Sequence, residues 1–251
     1  MTRITLIRPS RRNALTAQML RDLISVFQHP PRHQRGVIIH GSGGAFCAGA
    51  DIEELNLIGA SADPTAGAEG VARMAKNLMA LIEASPVPVI ACVDGPAVGG
   101  GLELALACDW IHATDRSSFA LPETTLGLIP GFGGTRRIVE RAGVAVANEM
   151  ILGDLVLDAH RAREAGLVSH VHESHQASLD AATASFTAGR PRSPHAIALA
   201  REVLRVAVDS DRATAFTQET AAYGRAFAHP DGAHGMTAFL EKRVAEFGRD
   251  A

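Results

Sequence analysis

The chain has 251 residues, 47% of them hydrophobic, with a formal net charge of -3 and three cysteines. That length and apolar content exclude a disordered chain and let one domain, or a domain with an appendage, bury a full core. The near-balanced charge lacks the global basic field on which nucleic-acid binding leans, so nucleic acid is not expected as a partner.

The opening MTRITLIRPSRR has an apolar run too short for a secretion signal, broken by Arg8 and Pro9, and residues 4 to 7 read as a strand stopped by that proline. Thr16 is placed to cap a helix whose apolar positions Met19, Leu20, Leu23, Ile24 and Phe27 repeat with helical spacing. From there one pattern recurs. GVIIHGSGG, PVPVIACVDGPAVGGG and DWIHATDRSSFALPE are β-rich runs that end in glycine-rich or turn residues, with helical segments between them, which indicates a layered α/β domain. Residues 59 to 70, GASADPTAGAEG, read as a mobile loop.

The longest apolar region, PVPVIACVDGPAVGGGLELALACDWI, is interrupted by prolines, Asp94 and Glu103, so no membrane span is expected. Cys47, Cys92 and Cys108 form no CxxC pair and read as buried free thiols in a reducing compartment, with a cytoplasmic location expected. His170, His172 and His175 in HVHESH fit a strand and its exit better than a metal site, and the single tryptophan, Trp110, reads as core. Beyond about residue 190, segments 195 to 208, 212 to 227 and 233 to 247 read as three helices. The division expected is therefore a core over 1 to 190 and an all-helical region over 191 to 251.

The glycine-rich runs fit no nucleotide loop. HGSGGAF lacks the third glycine of a dinucleotide fingerprint, and neither a Walker pattern nor G-x-S-x-G occurs. Gly99, Gly100 and Gly101 instead let a ligand atom approach their amides where a helix begins, which suits developing negative charge. FCAGAD offers a second run of small residues, with Asp51 as the cap of a following helix. Glu103 lies in the first turn of a helix that is apolar on nearly every face, so its proton affinity is expected to be perturbed. Glu123, beyond a strand at Phe119 to Leu121 and before GLIPGFGG, is the second carboxylate. Two such groups converging on one water suit proton transfer beside a polarised carbonyl.

FCAGADI, PVPVIACVDGPAVGGGLELALACD, PETTLGLIPGFGGTRR, AREAGLVSHV and MTAFLEKR, in that order, resemble the crotonase superfamily, and within it the enoyl-CoA hydratases, over nearly the whole chain. The resemblance implies a spiral of ββα units with a C-terminal helical trimerisation region, assembled as a homotrimer or a dimer of trimers. It implies oxyanion-hole amides at Ala50 and Gly100, a catalytic pair Glu103 and Glu123, and substrate contacts at Ala48, Asp51, Ile52, Gly131 and Lys242, the last from a neighbouring subunit or its own. The substrate implied is a 2-enoyl-CoA thioester that gains water, with no metal and no separate cofactor because coenzyme A is part of the substrate. Arg8, Arg11 and Arg12 would suit its phosphates, and Phe132, bulkier than the glycine or alanine of some relatives, would limit acyl length. An isomerase on the same fold, or a non-catalytic acyl-CoA or RNA-binding relative, is the alternative implied.

Overall fold

The computed structural model describes residues 1–31 and 34–247. Its larger sheet is built from β1 (Thr2–Leu6), β2 (Val37–Gly41), β3 (Val89–Val93), β5 (Trp110–Thr114) and β8 (His170–His172), all parallel, in the order β1-β2-β3-β5-β8. A smaller sheet holds β4 (Pro96–Val98), β6 (Ser118–Ala120) and the two-residue β7 (Leu157–Asp158), in the order β4-β6-β7. Strand, short strand and helix follow one another as β3, β4 and α4 (Gly100–Leu106), and again as β5, β6 and α5 (Gly134–Leu152). This is the ββα repeat that the resemblance implied.

Parallel strands buried on both faces read as continuous apolar runs, and VIACV and VIIHG do so. One face of the large sheet carries Val37, Ile39, Val89, Ala91 and Ile111 into the main core, against α1 (Ala17–Gln28), α3 (Pro64–Glu83) and α4. The other face sets Ile38, Ile90 and Cys92 against Leu179, Ala182 and Phe186 of α7 (His175–Thr187), with a half-buried Trp110 at its margin. Each fully buried Ile or Leu contributes roughly 2 kcal/mol relative to an exposed one. Thr16 caps α1 by accepting the Met19 N–H at 3.2 Å, and Asp51 caps α2 (Ile52–Gly59) by accepting that of Glu54 at 3.1 Å.

Two local expectations are corrected. Much of the stretch 59 to 70 is helical rather than a loop, because Asp63 caps α3 and Pro64 occupies its first turn, where a missing N–H costs nothing. The last helix, α10, runs Pro230–Leu240 instead of 233 to 247, for the same reason at its start, where His229 caps and Pro230 follows; at its end the chain turns at Lys242, whose φ is 57°. It follows α6 (Ala159–Glu164), α8 (Pro194–Asp209) and α9 (Arg212–Ala228). The helices α8 and α9 match the expected segments, and α9 packs on both α8 and α10. Of the expected C-terminal region, residues 248 to 251 lie outside the described residues.

A histidine layer sits between the large sheet and the start of α7. His40, Cys92, His112 and His170 are aligned across β2, β3, β5 and β8. His112 is 2% exposed, its Nδ1 is 3.2 Å from His172 Nε2, and the rings of His170 and His172 lie 4.8 and 5.0 Å away. Burial, reinforced by His170 and His172, pushes its pKa from 6.5 down to about 4. The folded protein thus holds His112 neutral while the unfolded chain binds a proton near 6.5. Stability is full above about pH 6.5 and falls as pH drops towards 4, by up to about 3 kcal/mol. Thermal melting of wild type is expected to drop across that window, and His112→Gln to flatten the slope; an equally steep decline in the variant would count against the account.

Candidate functional site

The two glycine-rich runs lie side by side. Cys47 bridges Ala97 in parallel fashion, with the Cys47 N–H donating to Pro96 O at 3.1 Å and the Val98 N–H to Cys47 O at 2.9 Å. Gly49 and Asp51 are pinned from the other side, where the Leu15 N–H reaches Gly49 O at 2.7 Å and the Asp51 N–H reaches Leu15 O at 2.9 Å. Ala50 between them is left with its amide facing α4. A Cβ built on Gly100 would stand 3.4 Å from the Ala50 nitrogen and 2.7 Å from the Phe132 ring, so only glycine fits there. Gly100 opens α4, where a helix amide has no intrahelical acceptor, and among the described residues neither its N–H nor that of Ala50 has a backbone partner. Two free donors at a helix start form a place for negative charge.

All seven residues of α4 are buried, Glu103 among them at 1% exposure. Its Oε1 accepts two amides from the loop before α5, Phe132 N–H at 2.8 Å and Gly134 N–H at 2.6 Å. Gly134 is required by that approach, since a Cβ on it would meet Glu103 Cγ at 2.6 Å. Burial pushes the Glu103 carboxyl up from 4.5 to about 7 with help from the nearby Glu123 charge, while the two amides and Arg137 hold it lower than burial alone would. Glu123 opens a 3-10 turn, Glu123–Leu126, and burial raises its pKa as well. Its Oε2 is buried with no partner among the described residues, and its Oε1 faces the open side of Gly99, 2.9 Å from where a Cβ would be. The two carboxyls and the two amides thus surround the first turn of α4.

Residues 1–250 match the family described as enoyl-CoA hydratase/isomerase. The chain belongs to the enoyl-CoA hydratase/isomerase family. Enoyl-CoA hydratase domain-containing protein 2, mitochondrial, of Mus musculus is 37% identical over 252 residues, covering 98% of this chain and 83% of that protein. The crystal structure of an enoyl-CoA hydratase from Bacillus anthracis superposes with a TM-score of 0.88 at 33% identity, covering 98% of this chain and 94% of that one. That of an enoyl-CoA hydratase from Polaromonas sp. JS666 gives 0.89 at 29% identity, covering 98% and 96%. The mixed α/β architecture is therefore the crotonase fold of this family.

The other residues expected to serve a site in this enoyl-CoA hydratase/isomerase chain are placed unevenly. Ala48 is half-buried beside the two runs, with its N–H on Arg12 O at 2.9 Å, and Ile52 is exposed at the start of α2. Asp51 is 5% exposed, and its carboxylate is committed to capping α2 and to an ion pair with Arg8, whose guanidinium lowers its pKa. Gly131 borders open space, with no atom nearer to a built Cβ than Ile129 O at 4.0 Å. Lys242 stands exposed in the turn after α10, which packs on α9 rather than beside α4. Of the three arginines, Arg8 is paired with Asp51 and Arg11 with Glu53 at 2.5 Å, while Arg12 is exposed.

Among the described residues no cluster of three or more His, Cys, Asp or Glu is arranged to hold a metal ion, and no helix is long and apolar enough to cross a membrane. Sequence reasoning missed the amides of Phe132 and Gly134 and the side chain of Arg137 behind them. Their only signal was the GFGGTRR string at a helix start.

Proposed function

We propose that this chain is an enoyl-CoA hydratase, adding water across the double bond of a 2-enoyl-CoA to give a 3-hydroxyacyl-CoA. The observation that carries the reading is the buried pair Glu103 and Glu123 beside the unpartnered amides of Ala50 and Gly100. The thioester oxygen would sit between those amides, so that charge leaving the double bond develops where donors are already aimed. Burial raises the pKa of both carboxyls, that of Glu103 to about 7 with the Glu123 charge adding to the rise, and in the proposed cycle the pair carries one proton between them. The ionised member accepts a proton from a water whose oxygen bonds to C3. The protonated member gives its proton to C2 as the π pair becomes the C2–H bond, so the pair ends with the single proton it began with. Coenzyme A enters as part of the substrate, and the reaction draws on no further cofactor. The three free, buried cysteines suit a reducing compartment.

Glu103→Gln and Glu123→Gln keep side-chain shape and remove the ionisable oxygen. Each is expected to cut kcat for crotonyl-CoA hydration by about 100-fold with little change in KM. The double variant should lose far less than the product of the two. Full activity in Glu123→Gln overturns the assignment, and double-bond migration without hydration in wild type would identify an isomerase.

Phe132 is 6% exposed, with its ring against Gly100 and its amide on Glu103, close to both ends of the reacting unit. In the proposed site a ring in that position would shorten the space open to the acyl chain. Phe132→Ala is expected to raise kcat/KM for 2-decenoyl-CoA relative to crotonyl-CoA by about tenfold, on the scale of a few methylenes gaining room. An unchanged ratio would refute it.

The same reading includes a homotrimer or a dimer of trimers. Phe216, Tyr223 and Phe227 on α9 and Phe239 and Leu240 on α10 are exposed, more apolar surface than a monomer ordinarily leaves in water. Sedimentation is expected to give a trimer or its multiple at micromolar concentration, and a stable monomer would contradict it.

A further inference from the structure

Arg137 sits one turn into α5 and is only 15% exposed. Its Nε donates to Glu83 Oε1 at 2.6 Å, at the last residue of α3, and its Nη1 donates to the Phe132 carbonyl at 3.1 Å. Those two bonds lace three separate parts of the chain together. The loop between them, Phe132 to Gly134, is the one whose amides hold Glu103 Oε1. The loop has no side chain of its own to fix it apart from the Phe132 ring, since Gly133 and Gly134 flank it, and Gly133 adopts a φ of 101° with Arg137 Nη1 crowding its open side. A backbone this free would sample other peptide orientations, and each of those aims a carbonyl rather than an N–H at the carboxylate. The arginine donates to the loop's outward carbonyl and so selects the orientation in which the inward groups are donors.

We propose that Arg137 is a positioning residue for the reaction: anchored on Glu83, it holds the Phe132–Gly134 loop so that both amides point at Glu103. Its charge also favours the ionised form of that carboxylate. The inference deepens the hydratase reading and rests on it for its kinetic consequences. The charged and titratable groups around Glu103 are few. Glu123 faces it from the 3-10 turn. Arg137 and its partner Glu83 come from α5 and α3. The Cys47 thiol lies under Gly101 and is pushed up to about 12 by burial, so it stays neutral. Arg141, from the next turn of α5, is turned to the far end of α4, where it donates to the carbonyls of Leu106 and Cys108. Arg137 is therefore the cation on the Glu103 side of the helix.

The test measures Glu103 in two ways, with crotonyl-CoA turnover against pH and with a carbon-13 NMR titration of glutamate carboxyls, the Glu103 signal being assigned by its loss in Glu103→Gln. In Arg137→Gln, Glu103 is expected to lose cationic support and aligned donors, so its midpoint and the acid limb of kcat/KM both move to higher pH by roughly half a unit. The same variant is expected to lower kcat about tenfold with KM little changed. Arg137→Lys keeps the charge but cannot span Glu83 and the Phe132 carbonyl as a fork does, so it should keep the wild-type pH profile and recover only part of kcat. An unmoved Glu103 titration in folded Arg137→Gln, or full kcat in Arg137→Lys, overturns the proposal. Should Arg137→Gln fail to fold, Arg137→Lys alone still decides through kcat. If wild type hydrates no enoyl-CoA, the hydratase reading fails while the NMR titration continues to judge the role of Arg137.

Discussion

A carboxylate taken out of water and met there by two backbone amides is the interaction on which the rest of this site depends. Leaving such a group buried and unpaired would cost several kcal/mol, whereas each hydrogen bond to a charged acceptor returns about 1.5–3 kcal/mol. Glu103 can therefore sit in the core only if the Phe132–Gly134 loop is brought to it. That requirement fixes where α5 must start relative to α4, and the near-absence of side chains in the loop is what lets the approach close to 2.6 Å. The balance leaves Glu103 protonating close to neutrality, a useful place for a group that would take and give protons in the proposed hydration.

The same geometry explains why glycines crowd into the first turn of α4. Four neighbours press on it: the Glu123 carboxyl towards Gly99, the Phe132 ring and Ala50 amide towards Gly100, and the Cys47 carbonyl towards Gly101. A side chain at any of the three would displace one of the groups that make the turn a binding place. The parallel bridge between Cys47 and Ala97 then ties the second amide to the first, so the two free donors belong to one rigid unit rather than to two loops.

Much of this was legible in the sequence because its signals are local. VIACV and VIIHG announced strands, which the structure pairs in parallel, and Thr16 and Asp51 announced helix starts. An all-apolar helix with one carboxylate announced a perturbed group at Glu103. What was missed is either a cap hidden in a small-residue stretch or a long-range contact. Asp63 and Pro64 start α3 inside a segment whose glycines and alanines read as a loop. Arg137 meets Glu83 across 54 positions of sequence, and Asp51, which looks free as a string of letters, is consumed by Arg8 across 43. Pairings of that kind have no period and no spacing for a sequence pattern to register.

The pairing of Asp51 with Arg8 also bears on how the proposed acyl-CoA site would be divided. A cation already neutralised by a nearly buried carboxylate makes a weak phosphate receptor, because a ligand would have to compete with a bond that also supports the start of α2. The exposed Arg12 carries no such commitment, and its carbonyl already holds the Ala48 amide next to the unpartnered amides of Ala50 and Gly100. In the proposed substrate a terminal phosphate group would thus be met by an exposed cation, while the reacting thioester would be met by backbone amides held in place by the Cys47–Ala97 bridge. Precision is concentrated where charge develops during the reaction, and the distant contacts are left to adaptable side chains. Under the proposed division Ala50, Gly100 and Glu103 would tolerate almost no change and Arg8 would be kept for its hold on Asp51, whereas Arg12 could vary without altering the chemistry.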